Sequence, residues 1–221
     1  MAWWKYLAST IFLPNCGLPL LSRMKNDMEI KQLEPKEKVI TFFGEIKGSS
    51  VEPAIKEIVK INLTDRAYAQ QCAKWALENN LSPMTVALTP IELYLSTNGG
   101  SCYDGLALYD VIEASQTPVE VYCTGKIMSM GIIVSLGAKV RKGYRNTTFM
   151  VHQVSGIAFG TLRDIEETYA EASRINDMLF NIIKSKTRVT EERLNQVILQ
   201  KQDWFITAEE ALELGILTEI I

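Results

Sequence analysis

The sequence predicts an α/β fold. Three observations carry that prediction. Short segments alternate apolar and polar residues, as in Ile91 to Ser96 and Val119 to Thr124. Longer segments between them repeat apolar residues at helical spacing. Glycines stand where one pattern gives way to the other. Strands that alternate with helices argue for a layered α/β domain. The chain has 221 residues, with 47% hydrophobic and 22% charged, enough for one ample core.

The N-terminal residues read as an appendage. Met1 to Leu21 carry Trp3, Trp4, Ile11, Phe12, Leu13, Leu18, Leu20 and Leu21, and Lys5 is the only charge before Arg23. Pro14, Asn15 and Pro19 break the run, which is too short and interrupted to span a membrane. Met24 to Glu37 is charged and without period. Residues 1–37 are therefore expected to be a propeptide-like segment or interaction arm, and residues 38–221 the folded domain.

Within the domain, Val39 to Gly44 is β-rich and ends at a glycine, so it predicts a first core strand. Pro53 to Ile61 predicts a short helix. Thr64 as N-cap and Asp65 in the first turn predict a second helix to Glu78, with Tyr68, Cys72, Trp75 and Ala76 on its apolar side. Asn79 to Pro90 reads as a loop. Ile91 to Ser96 is a strand closed by Asn98-Gly99-Gly100, and Tyr103, Leu106, Ala107, Val111 and Ala114 mark one face of the next helix. Val119 to Thr124 is a strand, followed by Gly125 and a helix from about Ser129. Thr147 to Val151 is a strand leading into His152. Leu162 to Lys186 is the longest helical pattern, with Ile165, Tyr169, Ala172, Ile175, Leu179 and Ile182 on one face. A helix over Glu191 to Leu199 follows, then a strand over Trp204 to Ile206. Thr207 and Glu210 are placed for a capping box, and Gly215 closes that last helix.

Charge and composition narrow the function. The formal net charge is −3, with no basic stripe, which speaks against nucleic-acid binding. Cys16, Cys72, Cys102 and Cys123 are scattered without a CxxC pair, and with a single histidine no Cys/His metal site is expected. The cysteines read as reduced core thiols of a cytoplasmic protein. Any mechanism that needs an imidazole must use His152.

Two strand-to-helix joints carry glycines, Leu95 to Ser101 and Gly125 to Gly131. Glycine admits a ligand close to the backbone, and the leading amides of a helix are free to donate. Ser129 sits at such a helix start, where the dipole favours developing negative charge. A serine hydroxyl needs a base, and His152 at a strand end is placed to be one. Asp203, just before Trp204-Phe205-Ile206, is the candidate carboxylate to orient the imidazole. Each residue also has an ordinary structural reading: a helix cap, a satisfied strand-end histidine, a turn aspartate.

Taken together the segments resemble the Clp protease proteolytic subunit family, from about Val39 to Ile221. The motifs are Leu93-Tyr94-Leu95-Ser96-Thr97-Asn98-Gly99-Gly100, Gly125 to Gly131 around Ser129-Met130-Gly131, Met150-Val151-His152-Gln153, and Asp203 through Ala211. The resemblance implies the ClpP/crotonase-like fold of repeated β-β-α units with a protruding handle helix, the handle lying at about 154–187. It implies a Ser129, His152, Asp203 triad and an oxyanion hole from the Gly100 and Met130 amides. It further implies a homo-oligomer of heptameric rings, possibly two stacked, that cleaves unfolded polypeptide delivered by an AAA+ unfoldase, with no cofactor, nucleic acid or membrane. Three positions depart from the family pattern. Glu92 and Ala114 stand where aromatic residues of the unfoldase-docking pocket are expected, and Gln202 stands where an arginine is usual. A non-catalytic ring subunit of this fold, and an acyl-CoA enzyme of the crotonase type, are the alternatives.

Overall fold

The computed structural model describes residues 37–82 and 86–221. The anticipated N-terminal arm lies outside the described residues except for Glu37, as does Cys16. The elements are β1 (Val39–Phe43), α1 (Gly48–Glu78), β2 (Ile91–Thr97), α2 (Cys102–Glu113), β3 (Val119–Met128), α3 (Met130–Leu136), β4 (Val140–Gly143), β5 (Thr148–Val151), α4 (Leu162–Lys186), α5 (Glu191–Leu199), β6 (Trp204–Ile206), α6 (Ala208–Glu213) and β7 (Glu219–Ile220).

A seven-stranded sheet organises them. Its main path runs β1-β2-β3-β4-β7 with every pairing parallel. Parallel neighbours need a crossover, which the helices supply. Ile91, Leu93 and Leu95 of β2 and Val121, Cys123 and Ile127 of β3 are fully buried. Val134 and Leu136 of α3 and Leu108 and Ile112 of α2 belong to the same core. On the other face of β2 and β3, Tyr94 stacks on Tyr122 with ring centres 4.7 Å apart.

Strand β3 runs past its expected end. It continues through Gly125 to Met128 and changes partner on the way: Glu120 to Cys123 pair with β4, and Lys126 to Met128 pair with β5. Gly125 is the pivot, at φ +65, where side chains are disfavoured. The expected turn at Gly125 is therefore a bend inside one strand. The bend aims the second half of β3, and so Ser129, at the end of β5.

The two helices expected before Asn79 are one helix of 31 residues, α1. Thr64 does not cap. Its hydroxyl donates back to Lys60 O at 2.9 Å, within the helix. Asp65 is buried and ion-paired to Lys38 Nζ at 2.7 Å, which gives the middle of α1 a tertiary anchor. Thr117 Oγ1 donates to the same carboxylate at 2.6 Å, and Lys38 Nζ also donates to Thr89 O at 2.9 Å. This polar cluster ties α1 to the start of β1 and to the loops entering β2 and β3.

Two helix faces also differ from expectation. On α2 the core face is Gly105, Leu108, Tyr109 and Ile112, while Tyr103 is exposed. On α4 only the second half of the apolar stripe is covered: Ile175, Leu179, Phe180 and Ile183 are buried, but Tyr169 is 75% exposed. Both α4 and α6 begin with capping boxes, from Thr161 with Asp164 and from Thr207 with Glu210. Strands β4 and β7 were not anticipated, being too short to show a period.

The first half of α4 is exposed, and two contacts clamp the helix onto α2. Tyr103 donates its hydroxyl to Glu171, which Arg174 also holds. These partners hold the Glu171 carboxyl down at about 2. Near the other end, Lys186 donates to Glu113.

Candidate active site

Ser129 is the N-cap of α3 and takes φ +53, ψ −123, a conformation rare for a residue with a side chain. Its N–H donates to Met150 O at 2.7 Å, which locks this corner to β5. His152 follows directly on β5. The pairing of β3 with β5 thus delivers both side chains to one place, and Ser129 Oγ lies 2.7 Å from His152 Nε2, hydrogen-bonded.

The turn after β2 packs on this corner. A Cβ on Gly99 would lie 2.7 Å from Ser129 Cβ, so only a glycine lets the two turns meet so closely. Thr97 Oγ1 accepts the Gly99 N–H at 2.9 Å. The residues before α1 strap the turn from outside: Ile46 N–H donates to Gly99 O, and Ser101 N–H donates to Ile46 O, each at 2.8 Å. Among the described residues, the N–H groups of Gly100 and Met130 donate to no protein acceptor. The first is in a strapped turn and the second leads a helix, where such amides are unpaired.

A cleft of about 60 Å³ opens beside these groups. Gly100, Ser129, Met130 and His152 line one side, and Ile133, Val151, Leu179, Phe180 and Ile183 supply apolar wall. An apolar recess beside a hydroxyl–imidazole pair and two free amides suits acyl chemistry on a chain with a hydrophobic side chain.

Asp203 is placed differently. In the antiparallel β5–β6 ladder Val151 faces Trp204, so the next step of the register sets Asp203 opposite His152. Asp203 is nevertheless exposed and makes no hydrogen bond to the imidazole among the described residues. The structure thus brings together Ser129, His152, Gly100 and Met130, and sets Asp203 opposite His152 in the register without a hydrogen bond between their side chains among the described residues.

Sequence reasoning passed over Asn176, which lines the same cleft from α4. Its only sequence signal was a polar residue beside the buried Ile175, within a face read as apolar.

Cys102 also lines the cleft. Burial pushes its thiol above the ordinary range, as it does for Cys72, and Cys123 is pushed up to about 12. A raised value lowers the thiolate fraction at neutral pH. Iodoacetamide is therefore expected to modify Cys102 slowly at pH 7, with the rate climbing only as pH rises past the usual thiol range. Fast alkylation at pH 7, read by peptide mass, would contradict this.

Among the described residues, no group of three or more histidine, cysteine, aspartate or glutamate side chains forms a metal site, and no helix is long and apolar enough to cross a membrane.

Comparison with known proteins decides the family. The Clp protease family model matches residues 36–221. The chain belongs to the Clp protease family. A curated relative, the ATP-dependent Clp protease proteolytic subunit of Deinococcus radiodurans, is 33% identical over 133 residues, which is 59% of this chain and 64% of that protein. The matched stretch thus spans somewhat less than two thirds of the relative. A solved structure, a ClpP1 mutant from Listeria monocytogenes, superposes with a TM-score of 0.65 at 23% identity, covering 86% of this chain and 94% of that one. The Clp fold is therefore shared. The family's proteolytic chemistry is the setting in which the Ser129–His152 pair has to be read.

Proposed function

We propose that this Clp-family chain is a serine endopeptidase, the proteolytic subunit of a self-compartmentalising particle that hydrolyses peptide bonds in unfolded polypeptides. The observation that carries this reading is the 2.7 Å contact between Ser129 Oγ and His152 Nε2 at a helix start beside two undonated amides. Ser129 attacks the scissile carbonyl carbon while its proton passes to His152 Nε2. The carbonyl oxygen becomes an oxyanion held by the Gly100 and Met130 N–H groups, each such donor contributing about 3 kcal/mol or more in comparable sites. Collapse expels the amine, which takes the proton from His152. Water, deprotonated by the same imidazole, then releases the acyl group. Asp203 is proposed to orient the imidazole, supported by its register step opposite His152.

The folded domain is proposed to span residues 38–221, with the handle over about 154–187. Assembly into heptameric rings is supported by exposed apolar residues on the handle, with Ile157 at 79%, Phe159 at 82% and Leu162 at 74% exposure. Such residues in a row call for a covering surface. A cytoplasmic location and an AAA+ unfoldase partner belong to the same proposal. The Deinococcus relative is an ATP-dependent Clp protease proteolytic subunit, which supports the unfoldase. Glu92 and Ala114 make its docking surface more polar and shallower than an aromatic one.

A non-catalytic ring subunit is the second reading, favoured by the lack of a hydrogen bond between His152 and Asp203 among the described residues. A fluorophosphonate probe separates the two. The peptidase reading expects an adduct at Ser129, located by mass, that is lost in H152A. An assembled, folded sample that takes no label would establish the non-catalytic reading.

A further inference from the structure

Asn176 sits on the covered part of α4, and its Oδ1 accepts the Val154 N–H at 3.1 Å. Val154 is two residues past His152, where the chain has left β5 and has no partner strand. Among the described residues the N–H groups of Gln153 and Ser155 donate to no backbone or side-chain acceptor. Both residues line the cleft together with Asn176. Among the described residues, this side-chain bond is the hydrogen bond that ties the N–H groups of Gln153 to Ser155 to the rest of the domain, and the Val154 side chain packs against the core.

We infer that Asn176 is a positioning residue for substrate. Successive peptide groups of a chain leaving a strand point to opposite sides. With the Val154 N–H held by Asn176, the N–H groups of Gln153 and Ser155 are turned to the opposite side of the chain, away from Asn176. There they are free to pair with an extended polypeptide as an added strand. Asn176 thus presents a ready edge beside the Ser129–His152 pair, and the substrate does not have to order that edge on binding. The clamps on α4 at Glu171 and Lys186 lie on either side of Asn176 and hold its helix in place. The inference rests on the peptidase reading above and adds a residue that acts on binding without touching the reacting atoms.

The test is steady-state hydrolysis of a blocked fluorogenic peptide with an apolar residue before the scissile bond, using the full-length assembled protein. N176L keeps the shape and removes the acceptor. It is expected to raise KM roughly five- to tenfold, the scale of one neutral hydrogen bond, with kcat within about twofold. N176D keeps an acceptor oxygen and is expected to restore KM to near the wild-type value. V154P deletes the donor from the other side, so N176L in the V154P background is expected to change KM no further. An unchanged KM in N176L, an N176D as impaired as N176L, or the same KM rise from N176L in both backgrounds would each overturn the inference. N176A is the substitute should N176L unfold. Unfolding of both also counts against it, since a positioning bond on a half-buried side chain is not needed for the fold. Fluorophosphonate labelling of the wild type is the control. Absent labelling sinks the peptidase reading itself, whereas labelling with an unmoved KM sinks only the role of Asn176.

Discussion

Replacing Ser129 by alanine is expected to remove peptidase activity almost completely, by a factor on the order of 10⁶ in kcat where hydroxyl and imidazole act as a unit. H152A is expected to lose about as much, and the double variant no more than either, because one proton transfer is lost in all three. The contact at 2.7 Å makes this a strong expectation: the hydroxyl has its base in place before substrate arrives. D203N is expected to cost on the order of 10⁴ if the carboxylate reaches the imidazole in the assembled particle. The measurement is kcat on a fluorogenic peptide, with each variant sized to show that it still assembles. Two independent, multiplying losses for S129A and H152A would mean that the pair does not work as one device. Full activity in D203N would remove Asp203 from the mechanism and leave a dyad.

The second large effect is on the fold. Asp65 and Lys38 form an ion pair with side chains only 2% and 4% exposed. D65A leaves the ammonium buried beside Thr89 O without its counter-charge and strips Thr117 of its acceptor. Breaking such a pair costs about 3–5 kcal/mol. For a chain of this size that is roughly 10 °C in Tm. Replacing both partners by apolar residues of similar volume, as in K38M with D65L, is expected to recover most of the loss, since no charge is then stranded. Thermal melting followed by circular dichroism checks both. A D65A protein that melts with the wild type would show that water reaches Lys38 and that the cluster is not a buried anchor. Activity in D65A at low temperature is expected to persist, because the cluster joins α1 to the segments entering β1, β2 and β3, whereas Ser129 and His152 follow the ends of β3 and β5.

Sequence pattern placed α4, α5 and β6 with the bounds the structure gives them, because caps that act locally open α4 and α5 and close β6 by starting α6. Thr161, Thr190 and Thr207 accept from amides three residues on, and those bonds need no distant partner. Where local signals compete with distant partners, the sequence misled. Thr64 and Asp65 look like a helix start, but Asp65 is drawn into the core by Lys38. The side chain of Asn62, one turn away, is taken up by Ser115 and the Thr117 N–H. Gly125 looks like a strand end, but the pairing with β5 carries the strand on to Met128. The face of α2 was misjudged because Gly105, with no side chain, is where the helix packs against the Met130 side chain: a Cβ there would lie 2.3 Å from Met130 Cγ.

For the site, the one-dimensional chain determined the cast of residues: a lone histidine at a strand end, a serine at a helix start between glycines, and an aspartate ahead of a short strand. Those choices are local chemistry, written in residue type and spacing. Only the tertiary structure decided who meets whom. The bend in β3 brings Ser129 to His152 across the β3–β5 pairing, and the strap from Ile46 sets Gly100 beside them. Asp203 is set opposite His152 in the register but makes no hydrogen bond to the imidazole among the described residues, and Asn176 is brought in from a helix that spacing alone does not connect to the site. The physical reason is that hydrogen-bond distances of about 3 Å are set by strand register and by glycine-sized gaps between turns. Those are properties of the packed sheet, which no single segment carries.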